Sequence, residues 1–287
     1  MLPRISIVTP SYNQAPFLGE TLTSVLGQDW PDLEYIVMDG GSTDGSVDLI
    51  QAQAHKLAYW QSAPDGGQSA ALNAGFARST GDILGWVNSD DYYLPGALQR
   101  AAAVLHPSRA EILVANGIVY DMPRARTLAT RVQDRSRSST LEWFDFVLQP
   151  ATFWTRAAWD LVGPLDADLH YAFDWEWFVR AKKAGVLFHI QEHMQAVARV
   201  HGSTKTETGG SRRDEEIATV YGRHIGLHAA AFYRYAAQHR KQVARLRKWL
   251  RRVGLQDHTN TALRKMWGAK IVPALTSQQT ENLLDML

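Results

Sequence analysis

The sequence of 287 residues contains no cysteine, which excludes disulfide bonds and metal sites built from thiolates. It also lacks any run approaching the roughly 18 consecutive apolar residues of a membrane-spanning helix. Neither sign of charge is in excess, because 30 Lys and Arg face 29 Asp and Glu. Net charge therefore gives no reason to expect nucleic acid as a partner. The opening MLPRISIVTPSYN lacks a signal-peptide pattern, so we expect a cytoplasmic protein.

Patterns of strand and helix alternate through the first third of the chain. Short apolar runs predict strands at 5–10, 33–39, 56–62 and 82–88, and apolar residues at helical spacing predict helices at 16–28, 43–53 and 69–79 between them. This alternation predicts an α/β fold, with a mostly parallel, Rossmann-like sheet that carries helices on both faces. Ligands of such sheets bind beyond the carboxyl ends of the strands.

The alternation is looser in the rest of the chain. We expect strands at 111–121, 127–133, 149–155, 186–190 and 195–201, with helices at 95–105, 156–163 and 173–185. From Ser211 onward the pattern is helical. The change from mixed to helical patterning predicts a domain boundary between 205 and 225.

Each of the first four predicted strands runs into a turn rich in Gly, Asp, Ser and Asn. The turns read TPSYN, MDGGSTDGS, APDGGQS and NSDD in chain order. Because the carboxyl ends of parallel strands meet at one edge of a sheet, we expect the four turns to converge there and to form a binding site.

The fourth turn carries two adjacent carboxylates, Asp90 and Asp91, directly after a buried strand. Two charges this close raise each other's proton affinity unless a cation or a network of donors compensates. Divalent cations such as Mg²⁺ or Mn²⁺ prefer oxygen ligands of this kind. The alternative is that one of the two caps the helix predicted at 95–105, which is a common use of aspartate.

The ordered set TPSYN, DGGSTDGS, NSDD and FDWEWFVR resembles the family 2 glycosyltransferases, inverting enzymes with the GT-A fold, over residues 4–205. Residues 64–98 are especially similar to a bacterial branch that builds surface polysaccharides and lipopolysaccharides. The resemblance implies a GT-A catalytic domain at 1–210. Its half at 1–105 would bind a nucleotide sugar and its half at 106–210 the acceptor, and a basic, amphipathic helical extension would follow at 211–287.

The resemblance also implies which residues hold the donor. Thr9, Pro10 and Tyr12 match the turn that holds the nucleobase, and Asp39 matches the acid that hydrogen-bonds the base. The second acid usual in that motif is Gly40 here, which puts the identity of the base in doubt. Tyr12 has a simpler alternative, an ordinary half-buried turn tyrosine.

The diphosphate and metal site is implied by matches further along the chain. Asp91 matches the family's metal ligand, Asp90 the acid on ribose, and His201 a histidine near the diphosphate that would ligate the metal or contact the phosphates. Gln68 and Asn73 lie on a helix directly after Gly66-Gly67, where backbone N–H groups suit phosphate or sugar hydroxyls. A lone histidine after a strand is often structural, and this alternative stays open for His201.

Asp174 matches the catalytic base of the family, at the start of the helix beneath the acceptor. A carboxylate there can take the proton of the attacking hydroxyl. Glu176 is an alternative base, although residues two apart on a helix point in different directions. Asp174 could instead be the N-cap of its helix.

Tryptophan is frequent, with ten residues, and Trp154, Trp175 and Trp177 fall in the acceptor half. Indole rings can stack on sugars, so these three are candidates for an acceptor groove. The alternative is that they fill the core.

The segment 234–253 carries eight Lys and Arg and no acid, with Val243, Leu246, Leu250 and Val253 at helical spacing. Such a basic amphipathic helix suits an anionic membrane surface. It suits equally a solvated helix that packs on the catalytic domain or on a second subunit of a homodimer. RNA binding is not expected, because no aromatic platform or known module accompanies the charge.

Together these features predict an inverting, metal-dependent hexosyltransferase. Its donor would be a nucleotide diphosphate sugar, UDP-linked in preference to dTDP- or GDP-linked, and its acceptor a glycan or lipid-linked saccharide in cell-envelope synthesis at the cytoplasmic face of the inner membrane. Two alternatives are a sugar nucleotidyltransferase and an inactive GT-A-like scaffold that binds nucleotide or glycan. A sugar nucleotidyltransferase would have a Gly-rich phosphate loop after the first strand, which this sequence lacks. The presence of Asp39, Asp91 and Asp174 together argues against an inactive scaffold.

Overall fold

The computed structural model describes residues 2–130, 141–205 and 209–287, except for the side chains of 128–130. These residues form two compact units. The first comprises 2–130 and 147–204, and the second comprises 141–146, 205 and 209–287. The boundaries at 105 and 210 expected from the sequence, with their assigned functions, stay predictions.

One sheet organises the first unit. Its strands are β1 (Ile5–Ser11), β2 (Leu33–Asp39), β3 (Tyr59–Ser62), β4 (Ile83–Trp86), β5 (Tyr92–Tyr93), β6 (Glu111–Asp121), β7 (Arg126–Thr130), β8 (Thr152–Thr155) and β9 (Leu187–Val200). The order is β3-β2-β1-β4-β8-β6-β9-β5, and β7 pairs with β6. β1 to β4 are mutually parallel, and β8 is antiparallel to β4 and β6, while β9 is parallel to β6. The predicted α/β class with a mostly parallel sheet is confirmed.

Helices of the first unit are α1 (Ala15–Leu26), α2 (Ser46–Gln53), α3 (Gln68–Arg78), α4 (Ala97–Val104), α5 (Arg156–Val162) and α6 (Phe173–Lys183). The second unit contains α7 (Gly210–His224), α8 (Leu227–Gln238), α9 (Arg240–Arg252), α10 (Thr259–Trp267) and α11 (Ser277–Asp285). Among the described residues, no helix combines the length and apolar character needed to cross a bilayer.

Three strand predictions differ from the structure. The segment 149–155 starts with a 3₁₀ turn, Gln149–Ala151, that contains Pro150, and only its second half is a strand. The predicted strands at 186–190 and 195–201 are one strand, β9, because β6 continues to pair with it through an irregularity at Ala115 and Asn116. In the prediction at 127–133, residues 131–133 lie outside the described residues.

Helices cover both faces of the parallel part of the sheet. On one face Ile7 and Tyr35 belong to a buried apolar cluster with Leu22 of α1 and Ile50 of α2. On the other face α3 approaches so closely that a Cβ at Gly75 would lie 2.5 Å from Val8 Cγ1. The close approach of α3 positions its amino end at the carboxyl edge of the sheet.

The tryptophans predicted to line an acceptor groove are core residues. Exposed fractions are 0% for Trp154, 1% for Trp175 and 0% for Trp177. Trp154 packs against Trp86 and Trp177, with ring centroids 5.2 and 5.1 Å apart. The groove assignment is therefore wrong for these three residues, because their burial leaves no ring face open to a sugar.

We expect Gly75→Ala to lower the free energy of unfolding by about 1–3 kcal/mol, because the new methyl group collides with Val8 in a packed core. Gly19→Ala is the matched control, since Gly19 is also inside a helix but a Cβ added to it would meet no atom within 4 Å. It should stabilise the protein by about 0.5–1 kcal/mol. Urea denaturation of both variants tests this, and equal effects of the same sign would contradict the close approach of α3.

Candidate active site

The carboxyl ends of β1, β2 and β3 lie side by side. Parallel pairing aligns Ser11 with Asp39 and Asp39 with Ser62. Beyond the strands, Gly40 N–H donates to the Ser11 carbonyl at 2.8 Å and Ala63 N–H to the Asp39 carbonyl at 3.0 Å. Together with β4, which pairs with β1, these strands bring the four predicted turns to one edge.

Asp39 fixes the turn after β2 through hydrogen bonds to its carboxylate. Its Oδ2 accepts hydrogen bonds from Gly41 N–H at 3.1 Å, Ser42 N–H at 2.9 Å and the Ser62 hydroxyl at 2.6 Å, and its Oδ1 accepts from the Ser42 hydroxyl at 2.5 Å. Only 1% of Asp39 is exposed. Four donors occupy most of the lone pairs of a carboxylate. Asp39 therefore orders the turn after β2, and its contact with a nucleobase stays a prediction.

Tyr12 lies at the edge with 63% of its surface exposed, which leaves its ring available for stacking. A Cβ added to Gly40 would lie 3.3 Å from Tyr12 Cδ2 and 3.1 Å from Asp65 Oδ2. The carboxylate of Asp65 thus borders the space beside Gly40, where the family's second acid would begin. Sequence reasoning missed Asp65, and the glycine at position 40 was the available signal.

A chain of side-chain amides connects α3, the turn after β4 and the start of β8. Gln68 Nε2 donates to Asn88 Oδ1 at 2.7 Å, and Asn88 Nδ2 donates to Asp91 Oδ2 at 3.2 Å. Gln149 Nε2 in turn donates to the Trp86 carbonyl at 3.0 Å. The predicted donor residue Gln68 is therefore joined to Asp91 through one amide.

Three other predicted donor residues are held inside the protein. Thr9 is fully buried, with its hydroxyl 3.0 Å from the Tyr35 hydroxyl, and Pro10 is buried in β1. Asn73 uses both ends of its amide on the backbone of Leu165, with two hydrogen bonds of 2.9 Å. These side chains support the edge of the sheet, and their contact with a donor stays a prediction.

Asp90 and Asp91 lie in the turn after β4, and Asp91 is only 6% exposed. Burial and the neighbouring carboxylate of Asp90 raise the pKa of Asp91 to about 8, although hydrogen bonds from Arg199 N–H and Asn88 act in the opposite direction. His201 Nε2 lies 3.1 Å from Asp90 Oδ2, and the imidazole stacks on Phe17 with ring centroids 4.3 Å apart. The structure therefore brings the three predicted metal and ribose residues into one cluster.

Arg199, a residue of β9, forms hydrogen bonds that hold this cluster beside the strand. Its backbone N–H donates to Asp91 Oδ1 at 3.0 Å, and its guanidinium donates to the Asp90 carbonyl and to the carboxylate of Glu20. The guanidinium carbon lies 5.2 Å from the ring centroids of both Phe17 and Tyr92. Sequence reasoning missed Arg199, although a charged residue inside the apolar run QAVARV was a signal.

The cluster offers the carboxylates of Asp90 and Asp91 and the imidazole of His201. Carboxylate oxygen and imidazole nitrogen are ligands that suit Mn²⁺, and the oxygens alone suit Mg²⁺. Among the residues that the structure describes, no three acidic or imidazole groups form a ready set of ligands. The residues therefore fit a cation that also takes ligands from a bound diphosphate, and not one that the protein encloses by itself.

Asp174 is the second residue of α6, whose N-cap is Ala172, so Asp174 is not the cap. Its Oδ1 accepts a hydrogen bond from Trp175 N–H at 2.8 Å, and the residue is half-buried. The ring of Phe173 lies 6.2 Å from that of Trp86, the last residue of β4. The first turn of α6 is thereby held beside the edge of the sheet that carries the other candidates.

The alternative base, Glu176, has a structural partner. It is 3% exposed and pairs with Arg180 at 2.9 Å. The same guanidinium donates to the carbonyls of Val162 at 2.6 Å and Pro164 at 2.7 Å. Glu176 thus fixes the segment after α5 to α6, and Asp174 is the better candidate for chemistry.

The sequence model of the family described as glycosyl transferase family 2 matches residues 6–155. Among curated relatives, an uncharacterized glycosyltransferase of Nostoc sp. is 38% identical over 37% of this chain, and the match spans 34% of that protein. An uncharacterized glycosyltransferase of Rickettsia typhi is 25% identical over 77% of this chain and 71% of its own length. The chain thus spans only about a third of the Nostoc relative.

Two solved structures share the fold across 99% of this chain. TarS of S. aureus in complex with UDP-GlcNAc has a TM-score of 0.64 at 16% identity and is covered over 89% of its length. The mannosyltransferase PcManGT of Pyrobaculum calidifontis, in complex with GDP-Man and Mn²⁺, has a TM-score of 0.63 at 20% identity and is covered over 88%. Both neighbours confirm the predicted GT-A fold.

We expect Arg199→Lys to lower the free energy of unfolding by about 2–4 kcal/mol, because an ammonium group cannot reproduce the several directed contacts of a buried guanidinium. Glu20→Gln is the control, since that partner side chain is 58% exposed and its charge should contribute less than about 1 kcal/mol. Urea denaturation measures both. If Arg199→Lys were as stable as the wild type, the guanidinium contacts would not hold the turn.

Proposed function

The chain belongs to glycosyl transferase family 2, and we propose that it moves a hexose from a nucleotide diphosphate sugar to a saccharide hydroxyl, with inversion at the anomeric carbon. One observation carries the proposal. The exposed Tyr12, the cluster of Asp90, Asp91 and His201, and the first turn of α6 with Asp174 all lie at the carboxyl edge of one parallel sheet. Ligands of such sheets bind at this edge.

The nucleoside end of the donor is proposed to lie between β1 and β2. Tyr12 would stack on the base, and the turn that Asp39 orders would lie beside it. UDP is the favoured carrier, with dTDP and GDP as alternatives. Asp65, next to Gly40, would be the acid nearest to the base in place of the missing second carboxylate.

The diphosphate is proposed to lie over the turn after β4. Asp91 and His201 would hold Mn²⁺ or Mg²⁺ there, and Asp90 would contact the ribose. When bound, the cation supplies positive charge that stabilises the leaving diphosphate. Support for this part comes from the compact cluster of these side chains and from the Mn²⁺ in the PcManGT complex.

Transfer is proposed to occur in one displacement. The acceptor hydroxyl attacks the anomeric carbon while its proton passes to the carboxylate of Asp174. The new bond joins the acceptor oxygen to the anomeric carbon, and the old bond to the diphosphate breaks on the opposite side. The nucleoside diphosphate leaves with the electron pair, and a single displacement inverts the anomeric centre.

The acceptor is proposed to be a glycan or a lipid-linked saccharide of the bacterial cell envelope, used at the cytoplasmic face of the inner membrane. This rests on the resemblance of residues 64–98 to enzymes of surface polysaccharide synthesis.

A nucleotide panel tests the donor site. We expect the melting temperature to rise by several degrees with one of UDP, GDP or dTDP when Mn²⁺ is present, and not with CMP. A ligand at a hundredfold excess over its Kd stabilises by about 2.7 kcal/mol. Asp91→Ala should lose the shift, whereas Asp48→Ala, in the first turn of α2, should keep it. The absence of a shift with every nucleotide would contradict the proposal. A shift that does not need Mn²⁺ would contradict the metal site alone.

The role of Asp174 is tested by Asp174→Asn. We expect kcat for release of the nucleoside diphosphate from its sugar to fall about 10²–10⁴-fold, with the nucleotide-induced melting shift retained. Glu176→Gln should show the reverse, a lower melting temperature with kcat retained, because it loses the ion pair with Arg180. If Glu176→Gln lost kcat while Asp174→Asn kept it, Glu176 would be the base. Binding without turnover of any sugar donor would favour the inactive scaffold.

A further inference from the structure

Helix α9 divides its residues between two faces. Val243 and Leu250, each 2% exposed, lie on the inner face and belong to the core of the second unit. Residues on the opposite face are exposed to solvent. The buried part of the apolar stripe is thus accounted for within the second unit, and its expected packing on the catalytic domain or on a second subunit stays a prediction.

Acids of the second unit bind some of the basic residues. Arg234 pairs with Glu215 at 2.5 Å and Arg240 with Asp214 at 2.7 Å, both on α7. Arg247 pairs with Glu281 at 2.7 Å and also with Asp285, both on α11. These three arginines connect the helices of the second unit, so their charge is already compensated within the protein.

Four other basic residues have no such compensation. Lys241, Arg245, Lys248 and Arg252 are exposed and form no ion pair with any residue the structure describes. Their spacing of four, three and four residues puts them on one face of α9. The segment 240–252 contains no acid. This outer face therefore presents four uncompensated positive charges in a row.

Apolar side chains border the same face. Trp249 is 55% exposed, Val253 48% and Leu255 41%. Exposed indole rings beside cations are typical of helices that lie in the headgroup region of a bilayer, where one end of the ring is apolar and the other is hydrated.

A groove of about 540 Å³ lies along one side of the helix. Arg247, Lys248, Arg251 and Arg252 line it together with Ala244. Arg247 is paired with acids of α11 and Arg251 lies 3.9 Å from Glu281, so Lys248 and Arg252 are the lining cations that suit phosphate groups. The groove contains none of the acids of the candidate active site.

From these observations we infer that the outer face of α9, formed by Lys241, Arg245, Lys248, Trp249 and Arg252, binds the surface of an anionic membrane. The cations would contact lipid phosphates, and Trp249 would enter the boundary between headgroups and acyl chains. Each basic residue near an anionic surface contributes roughly a fivefold increase in partition coefficient at moderate salt. Four such residues suffice for reversible attachment when an apolar anchor accompanies them.

Vesicle sedimentation tests the inference without any measurement of activity, so its outcome is independent of the donor site. We expect the full chain to bind vesicles of phosphatidylcholine with phosphatidylglycerol and not vesicles of phosphatidylcholine alone. The variant K241Q/R245Q/K248Q/R252Q should bind the anionic vesicles at least tenfold more weakly, and Trp249→Ala should weaken binding at unchanged charge. High salt should release the wild type.

The matched control is K56Q/K182Q/K265Q/K270Q, which removes the same charge from lysines off this face and should bind like the wild type. Circular dichroism and melting temperature confirm that each variant is folded. If the control variant lost as much vesicle binding as the outer-face variant, binding would depend only on net charge, and the inference would be overturned. It would also be overturned by binding to a single-stranded RNA but not to vesicles, or by a dimer in solution that the outer-face variant abolishes.

Discussion

The attachment of the turn after β4 to β9 is the constraint on which the candidate site depends. Burial disfavours the charge of Asp91, and the two carboxylates repel each other when both are ionised, so together these effects raise the pKa of Asp91. Arg199 opposes this with its backbone N–H on one residue and its guanidinium on the carbonyl of the other. Because β9 pairs with β6 along most of its length and with β5 near its end, the position of Arg199 is set by the sheet itself. The two acids are therefore held together by the fold, at a cost that a bound cation would reduce.

The acids of the first unit differ in how fully their charge is satisfied, and this difference separates structural from chemical roles. Asp39 accepts four hydrogen bonds, and Glu176 is paired with Arg180. Asp91 is buried beside a like charge, which is the usual condition of a carboxylate that awaits a cation or a proton. Sequence matching alone gives Asp39 and Asp91 equal standing as ligand contacts, whereas the hydrogen bonds show that Asp39 also orders its turn.

Local patterns in the sequence predicted most elements of the first unit, but not β5, and predicted the edge at which the candidate residues lie. The apolar runs of β1, β2 and β4 and the turns after them are signals of this kind, since each depends on neighbours in the chain. Features that depend on contacts between residues distant in the sequence were missed. Two predicted strands form the single strand β9 because both pair with β6. Arg199 matters because it contacts Asp90, which is distant in the sequence. Asp65 matters because its carboxylate lies beside Gly40. Burial of Trp154 and Trp177 likewise follows from packing between elements.

The role of the basic segment 234–253 also depends on contacts that the sequence pattern does not reveal. Sequence spacing gave two incompatible interpretations of 234–253, packing against protein or contact with a membrane. The structure assigns packing to one face, because Val243 and Leu250 are buried and Arg247 reaches the acids of α11. Acids on other helices, which no local pattern reveals, thus decide which cations remain free. Packing of the inner face also holds the outer cations in a row, so protein packing and the inferred membrane contact concern different faces of one helix and are compatible.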